Sequence, residues 1–170
     1  MAITEKLQQA FNLQINKEIY SEYLYLSMKA YFANLGLSGF TNWMDIQVKE
    51  ERAHAMGMFD YVSERGGKVT LDKIDKPKTE WSSPLEVFQD VLAHEQYVTS
   101  QINLLYDVAE AERDRAAMIF LNWYIKEQVE EEDSAGNILS QLEAIKDDKL
   151  ALYSLDKELM NRQFNPPVIG

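Results

Sequence analysis

The sequence predicts an all-α fold: a four-helix bundle with one long crossover and a short fifth helix at the C-terminus. Three observations predict it. Only 7 glycines and 4 prolines interrupt 170 residues, few breakers for such a length. Inward-facing residues recur at heptad spacing in four long segments. Between the second and third segments lies a stretch with no such stripe and with a proline in it.

The first helix is predicted from about Thr4 to Asn34, with Leu7, Phe11, Gln14, Glu18, Ser21, Tyr25, Met28 and Phe32 on its inner face. Asn34-Leu35-Gly36 stops it. Ser38 is placed to cap the second helix, which runs to Arg65 and ends at Gly66-Gly67. Its stripe reads Phe40, Met44, Gln47, Glu51, His54, Met58, Tyr61. The short link makes these two helices an antiparallel hairpin. Residues 67 to about 82 then read as an extended connection. About sixteen residues at ~3.3 Å each reach ~50 Å, whereas a helix of about 28 residues is ~42 Å long. The link therefore spans the bundle and sets the third helix parallel to the second.

Ser83 caps the third helix, Pro84 takes its first position, and Glu86 stands where a capping box places a carboxylate. This helix runs to about Ala111, with Leu85, Phe88, Leu92, Glu95, Thr99, Ile102, Tyr106 and Ala109 inward. The fourth extends from near Asp114 to Ile145, with Ala117, Leu121, Tyr124, Gln128, Glu131, Ala135, Ile138 and Leu142 inward. Gly136 marks a place for a bend or a close contact. A fifth helix is expected over about 147–161, followed by a non-helical tail, Asn165-Pro166-Pro167-Val168-Ile169-Gly170. The chain is read as one domain, residues 1–170, with the bundle over about 4–145.

Each stripe is broken near its middle by acid, amide or imidazole: Glu18, then Glu51 with His54, then Glu95, then Gln128 with Glu131. A buried carboxylate is expensive unless it is paired or bound to a cation. Glu51 and His54 lie three apart, project the same way, and can hold one ion. One such defect reads equally well as a buried ion pair. Four at matching depth imply a polar site inside the bundle, and oxygen-rich ligands with imidazole suit iron or manganese. Residues 127–145 contain no Lys or Arg, so the acids from Glu127 to Asp133 are unbalanced along the helix.

The remaining composition excludes whole classes. With no cysteine there are no disulfides, thiolate metal sites or iron–sulfur clusters. Two histidines oblige any metal to use mostly carboxylates. A net charge of −11 argues against a nucleic-acid surface. No apolar run approaches the ~20 residues of a membrane span, and no apolar signal core follows Met1. A cytoplasmic protein with no membrane partner is the expectation.

With these residues in hand, the chain resembles the ferritin family, in its non-haem bacterial type, over about residues 4–161. The matching features are Glu18, the Glu51-Arg52-Ala53-His54 turn, Glu95, and Glu127-Gln128-Val129-Glu130-Glu131 after Trp123-Tyr124. The resemblance implies an iron-storage ferroxidase with a di-iron centre. Glu18 and His54 would bind the first iron, Glu51 would bridge, and Glu95 would bind the second, with Glu131 a further ligand. Gln128 would be a weak ligand or a hydrogen-bonding neighbour. Glu50, Glu127 and Glu130 match a third iron site, and Tyr25 a tyrosine beside the pair. Iron(II) would meet dioxygen or hydrogen peroxide there, inside a homo-oligomer of 24 subunits. Haem-containing relatives carry a second Glu-x-x-His on the fourth helix and a methionine where Arg52 stands. This chain has Gln128 and Glu131 instead, so no haem is expected. His94 points about 100° away from Glu95 and reads as structural. The competing function is a di-iron oxidase or oxygenase acting on another substrate.

Overall fold

A computed structural model describes residues 2–169. The elements are α1 (Glu5–Asn34), α2 (Ser38–Glu64), α3 (Pro84–Ala111), α4 (Arg115–Ile145) and α5 (Lys149–Leu159). Polar side chains set most of the starts. Thr4 Oγ1 accepts from the Leu7 amide at 3.3 Å, Ser83 Oγ from Glu86 at 3.1 Å, and Asp114 Oδ1 from Ala117 at 3.1 Å. The Glu86 carboxylate reaches back one residue further than a capping box requires and accepts from the Ser82 amide at 2.7 Å. Gly36 and Gly66, at φ 72° and 69°, supply the left-handed residues that close α1 and α2.

The start of α2 departs from expectation. Ser38 is the first helical residue, Leu37 holds the cap position, and no side chain there bonds to the helix. Asp156, buried on α5, replaces the local cap: its Oδ1 accepts from the amides of Gly39 at 2.8 Å and Phe40 at 3.1 Å. A Cβ at Gly39 would lie 1.6 Å from the Asp156 carbonyl oxygen, so only glycine admits α5 at this distance.

The crossover lies along α1. Asn12 donates to the Lys68 carbonyl at 3.0 Å, Asn16 to Lys73 at 3.0 Å and Ser27 to Lys78 at 2.7 Å, so the two strands of chain advance together. Ile3 donates to Arg65 at the near end, and Trp81 packs edge-on against Tyr31 at the far end. The link thus runs the length of α1, and α3 descends antiparallel to α1 and parallel to α2. The side-chain bonds from Gln47 on α2 to Glu131, and from Tyr124 to the His54 carbonyl, join α2 to α4 and complete the square.

All eight predicted inward positions of α1 and of α4 are buried. On α3 the buried row is instead Val87, Phe88, Val91, Glu95, Val98, Ile102, Leu105 and Ala109, while Leu85, Leu92, Thr99 and Tyr106 are half-buried. A straight helix drifts against a strict seven-residue repeat, and α3 turns its buried face between α1 and α4. Gly136 makes no close contact, since a Cβ there would meet nothing within 4 Å. The apolar interior forms two clusters. One gathers around Tyr25, Met28, Phe32, Phe40, Trp43 and Phe88, the other around Leu7, Phe11, Ile15, Met58, Ile102 and Leu121.

Candidate metal centre

Between the two clusters lies a polar layer. Gln14, Glu18, Ser21, Gln47, Glu51, His54, Glu95, Gln128 and Glu131 are all buried to 5 % exposure or less. Helical periodicity brings them together: the same heptad row that carries core residues above and below carries these in the middle.

Among the described residues, two triads bring one donor atom each to within 4.8 Å of one another: Glu18, Glu51 and His54, and then His54, Glu127 and Glu131. His54 joins both. Its Nδ1 stands 3.5 Å from Glu51 Oε2 and its Nε2 3.8 Å from Glu127 Oε1. Glu18 Oε2, Glu51 Oε2 and His54 Nε2 are buried without a hydrogen-bond partner. Native interiors seldom leave such atoms unsatisfied, and with Glu18, Glu51 and His54 grouped this closely the triad could hold a cation, Nδ1 of His54 facing Glu51 and Nε2 facing Glu127.

The other oxygens are oriented by neighbours. Gln14 donates to Glu18 Oε1 at 2.7 Å, and Gln47 to Glu131 Oε2 at 2.9 Å. Tyr25 donates its hydroxyl to Glu95 Oε1, and Gln128 donates to Glu95 Oε2 at 3.1 Å. Glu95 therefore stands outside both triads with each oxygen held, although each keeps a further lone pair. Gln128 contributes a hydrogen bond here. The third-site set is brought together only in part. Glu127 enters the second triad, Glu50 is paired with Arg162 at 2.7 Å, and Glu130 is exposed and belongs to neither triad. His94 joins neither triad: Ser21 Oγ gives its proton to the Lys17 carbonyl and meets His94 Nε2 at 2.8 Å. Burial lowers that imidazole to about 4.

Electrostatics follows from burial. Desolvation first, then neighbouring charge, raises the carboxyls of Glu51 and Glu95 and pushes Glu131 and Glu50 up to about 7. Burial alone would lower His54, but the carboxylates of Glu127 and Glu51 outweigh it and hold the imidazole well above the usual histidine range. In the metal-free protein these upward shifts favour proton uptake by the layer. Acids raised in the folded state favour it while they are neutral, so that contribution is present near the ordinary carboxyl value and is lost as pH rises to about 7. The metal-free protein is expected to melt lower at pH 7.5 than at pH 5.5, and a divalent ion to raise the melting temperature more at the higher pH. Differential scanning calorimetry checks this; equal midpoints at both pH values would refute it.

Gln14, Gln47 and Arg162 were not singled out as site residues from the sequence. The two glutamines each stand four residues before a site acid on the same stripe, a signal that was available. Arg162 gave none, because its partner Glu50 is 112 residues away.

Residues 8–145 match the ferritin-like domain family. The chain belongs to the ferritin family. A bacterial non-heme ferritin of Bacteroides fragilis is 44 % identical over 160 residues, covering 94 % of this chain and 99 % of the relative. Another, of Staphylococcus epidermidis, is 40 % identical over 163 residues, covering 96 % and 98 %. Among solved structures, a novel open pore ferritin from the hyperthermophilic archaeon Archaeoglobus fulgidus aligns with TM-score 0.93 at 55 % identity, covering 95 % of this chain and 98 % of that one. A closed form of the same archaeon's ferritin, engineered by mutagenesis, aligns with TM-score 0.95 at 54 % identity, covering 96 % and 100 %. The likeness embraces all five helices and the crossover of the ferritin fold. At position 52 this ferritin chain carries an arginine that pairs with Glu22 at 3.0 Å.

The Tyr25 hydroxyl holds one oxygen of Glu95, so its loss should let that carboxylate rotate. Tyr25→Phe is expected to slow iron(II) oxidation by about tenfold, the usual scale for a residue that orients a ligand. Stopped-flow absorbance checks it; an unchanged rate would make the tyrosine a packing residue only.

Proposed function

We propose that this chain is an iron-storage ferroxidase. It oxidises iron(II) to iron(III) at a di-iron centre within each subunit and stores the product as hydrated iron(III) oxide inside an oligomeric shell. The observation that carries the reading is the buried triad Glu18, Glu51 and His54, whose ligand atoms lie within 4.8 Å of one another, with Glu18 Oε2 and Glu51 Oε2 left without a hydrogen-bond partner. Glu18 and His54 take the first iron, Glu51 bridges, and Glu95 takes the second. Glu131 and Glu127 with His54 lead to a third position, with Glu50 at its edge; Glu130 joins only if its side chain turns inward. Two adjacent iron(II) ions give up one electron each, so dioxygen is reduced to the level of hydrogen peroxide, or hydrogen peroxide to water, without a lone superoxide. The carboxylates supply the negative charge that favours iron(III) as it forms.

The shell is proposed to contain 24 copies and the protein to act in the cytoplasm. Among the described residues no helix is long and apolar enough to cross a membrane. Exposed apolar side chains such as Leu104, Ile119 and Leu150 fit surfaces covered by other subunits.

Anaerobic loading with iron(II), followed by oxygen and read by absorbance, tests the chemistry, and light scattering tests the shell. Oxidation well above the buffer rate, in a particle many times the 19.7 kDa subunit, is expected. Iron oxidation no faster than in buffer would overturn the reading. A small particle whose oxygen uptake needs an organic substrate would favour a di-iron oxygenase.

A further inference from the structure

Arg162 lies three residues beyond α5, where the chain lies against α2. Its Nη2 meets Glu50 Oε2 at 2.7 Å, its Nη1 donates to the Trp43 carbonyl at 3.4 Å, and its guanidinium sits 4.8 Å from the Trp43 ring centroid. Asn42 Nδ2 donates to the carbonyls of Leu159 and Arg162, both at 3.1 Å, which pins the backbone beside the arginine. Further along, Ile169 packs where a Cβ on Gly57 would come within 2.7 Å of its Cδ1 and of the Tyr124 hydroxyl. The tail therefore runs as a strap along α2 from Asn42 to Gly57 and passes the edge at which Glu50 and Glu127 emerge.

That edge is rich in acid, and beyond Lys126 the rest of α4, residues 127–145, contains no Lys or Arg. The charge of Arg162 acts on both Glu50 and Glu131. A guanidinium remains charged at every physiological pH and offers a rigid fork to a carboxylate. The pair is largely buried, with Arg162 25 % and Glu50 17 % exposed, and in such a pair desolvation offsets much of the attraction. Its location, beside a triad able to hold a metal, is what calls for an account.

We propose that Arg162 is a built-in counter-cation of the His54–Glu127–Glu131 group: its guanidinium occupies Glu50 while no ion is bound there and competes with an arriving divalent cation for that carboxylate. The position is thereby kept the weakest of the three, so that ions pass through it instead of lodging. This rests on reading that triad as a third metal position. Arg162 acts through Glu50 and is a positioning residue.

The test is an anaerobic titration of the assembled protein with zinc(II), which cannot be oxidised, followed by calorimetry. Arg162→Gln removes the charge and is expected to tighten the weakest zinc step by about tenfold, leaving the tighter steps unmoved. Arg162→Lys restores a charge and is expected to behave like the parent. Arg162→Met, which keeps an unbranched stem against Trp43, repeats the measurement should the glutamine fail to assemble. Equal zinc isotherms for Arg162→Gln and the parent would overturn the proposal. So would an equal shift in Arg162→Lys and Arg162→Gln, which would make packing on Trp43 the cause. Glu127→Ala tests the underlying reading separately. A loss of one zinc step supports the third position, and an unchanged step count removes that position and the proposal with it.

Discussion

Glu51→Gln is expected to abolish rapid iron(II) oxidation, lowering the initial rate by about a hundredfold or more, while leaving the metal-free protein at least as stable at pH 7. The two effects have one cause. Glu51 is 2 % exposed, its Oε2 has no hydrogen-bond partner, and burial and the charges of Glu95 and Glu18 raise its carboxyl. The folded metal-free protein thus carries a group that it would rather neutralise, and glutamine is the neutral isostere. Only a bound cation makes the acid worth keeping. Stopped-flow absorbance and thermal unfolding on one preparation measure both. A variant that is inactive and unfolded would be uninformative about chemistry, which is why the isostere is preferred to alanine. A folded variant that oxidises iron at the parental rate would make the polar layer structural.

Gly39→Ala is expected to destabilise the subunit by about 3 kcal/mol or more. The added Cβ falls 1.6 Å from the Asp156 carbonyl oxygen, which is backbone and cannot swing aside. Either α5 moves off α2, or α2 loses the two amide bonds that Asp156 accepts. At this chain length each kcal/mol is about 2–4 °C in melting temperature, so a fall of about 6–12 °C is the expected reading. Gly136→Ala is the control. A Cβ there meets nothing within 4 Å, and removing a mid-helix glycine should add about 0.5–1 kcal/mol. Equal midpoints for the two variants would show that α5 does not depend on the glycine.

Much of this was legible in the residue order because helices are local. Capping residues, glycine stops and a 3.6-residue period need no knowledge of distant chain, and α1 and α4 were readable residue by residue. The buried polar layer was legible for the same reason: Glu18, Glu51, His54, Glu95 and Glu131 occupy positions that the period assigns to the interior, and all are buried. What escaped was non-local. The α2 cap comes from Asp156, over a hundred residues away, and Glu50 is neutralised from the tail. On α3 the stripe was found but its phase was off, because which of two adjacent rows is buried depends on where α1 and α4 stand. Glu130 was expected at the third position through the family resemblance, yet its side chain is exposed.

The polar layer also divides the interior into two oily compartments that share few apolar contacts across it. Without metal, the seam between them is held by side-chain hydrogen bonds such as Gln14 to Glu18 and Gln47 to Glu131. An ion ligated from α1, α2 and α3 at once would rivet the halves together. Amide hydrogen exchange around residues 14–18, 47–54 and 128–131 would then slow on loading far more than exchange at either end of the bundle. Iron ligated in this way would stiffen the waist of its own carrier on arrival and release it on leaving.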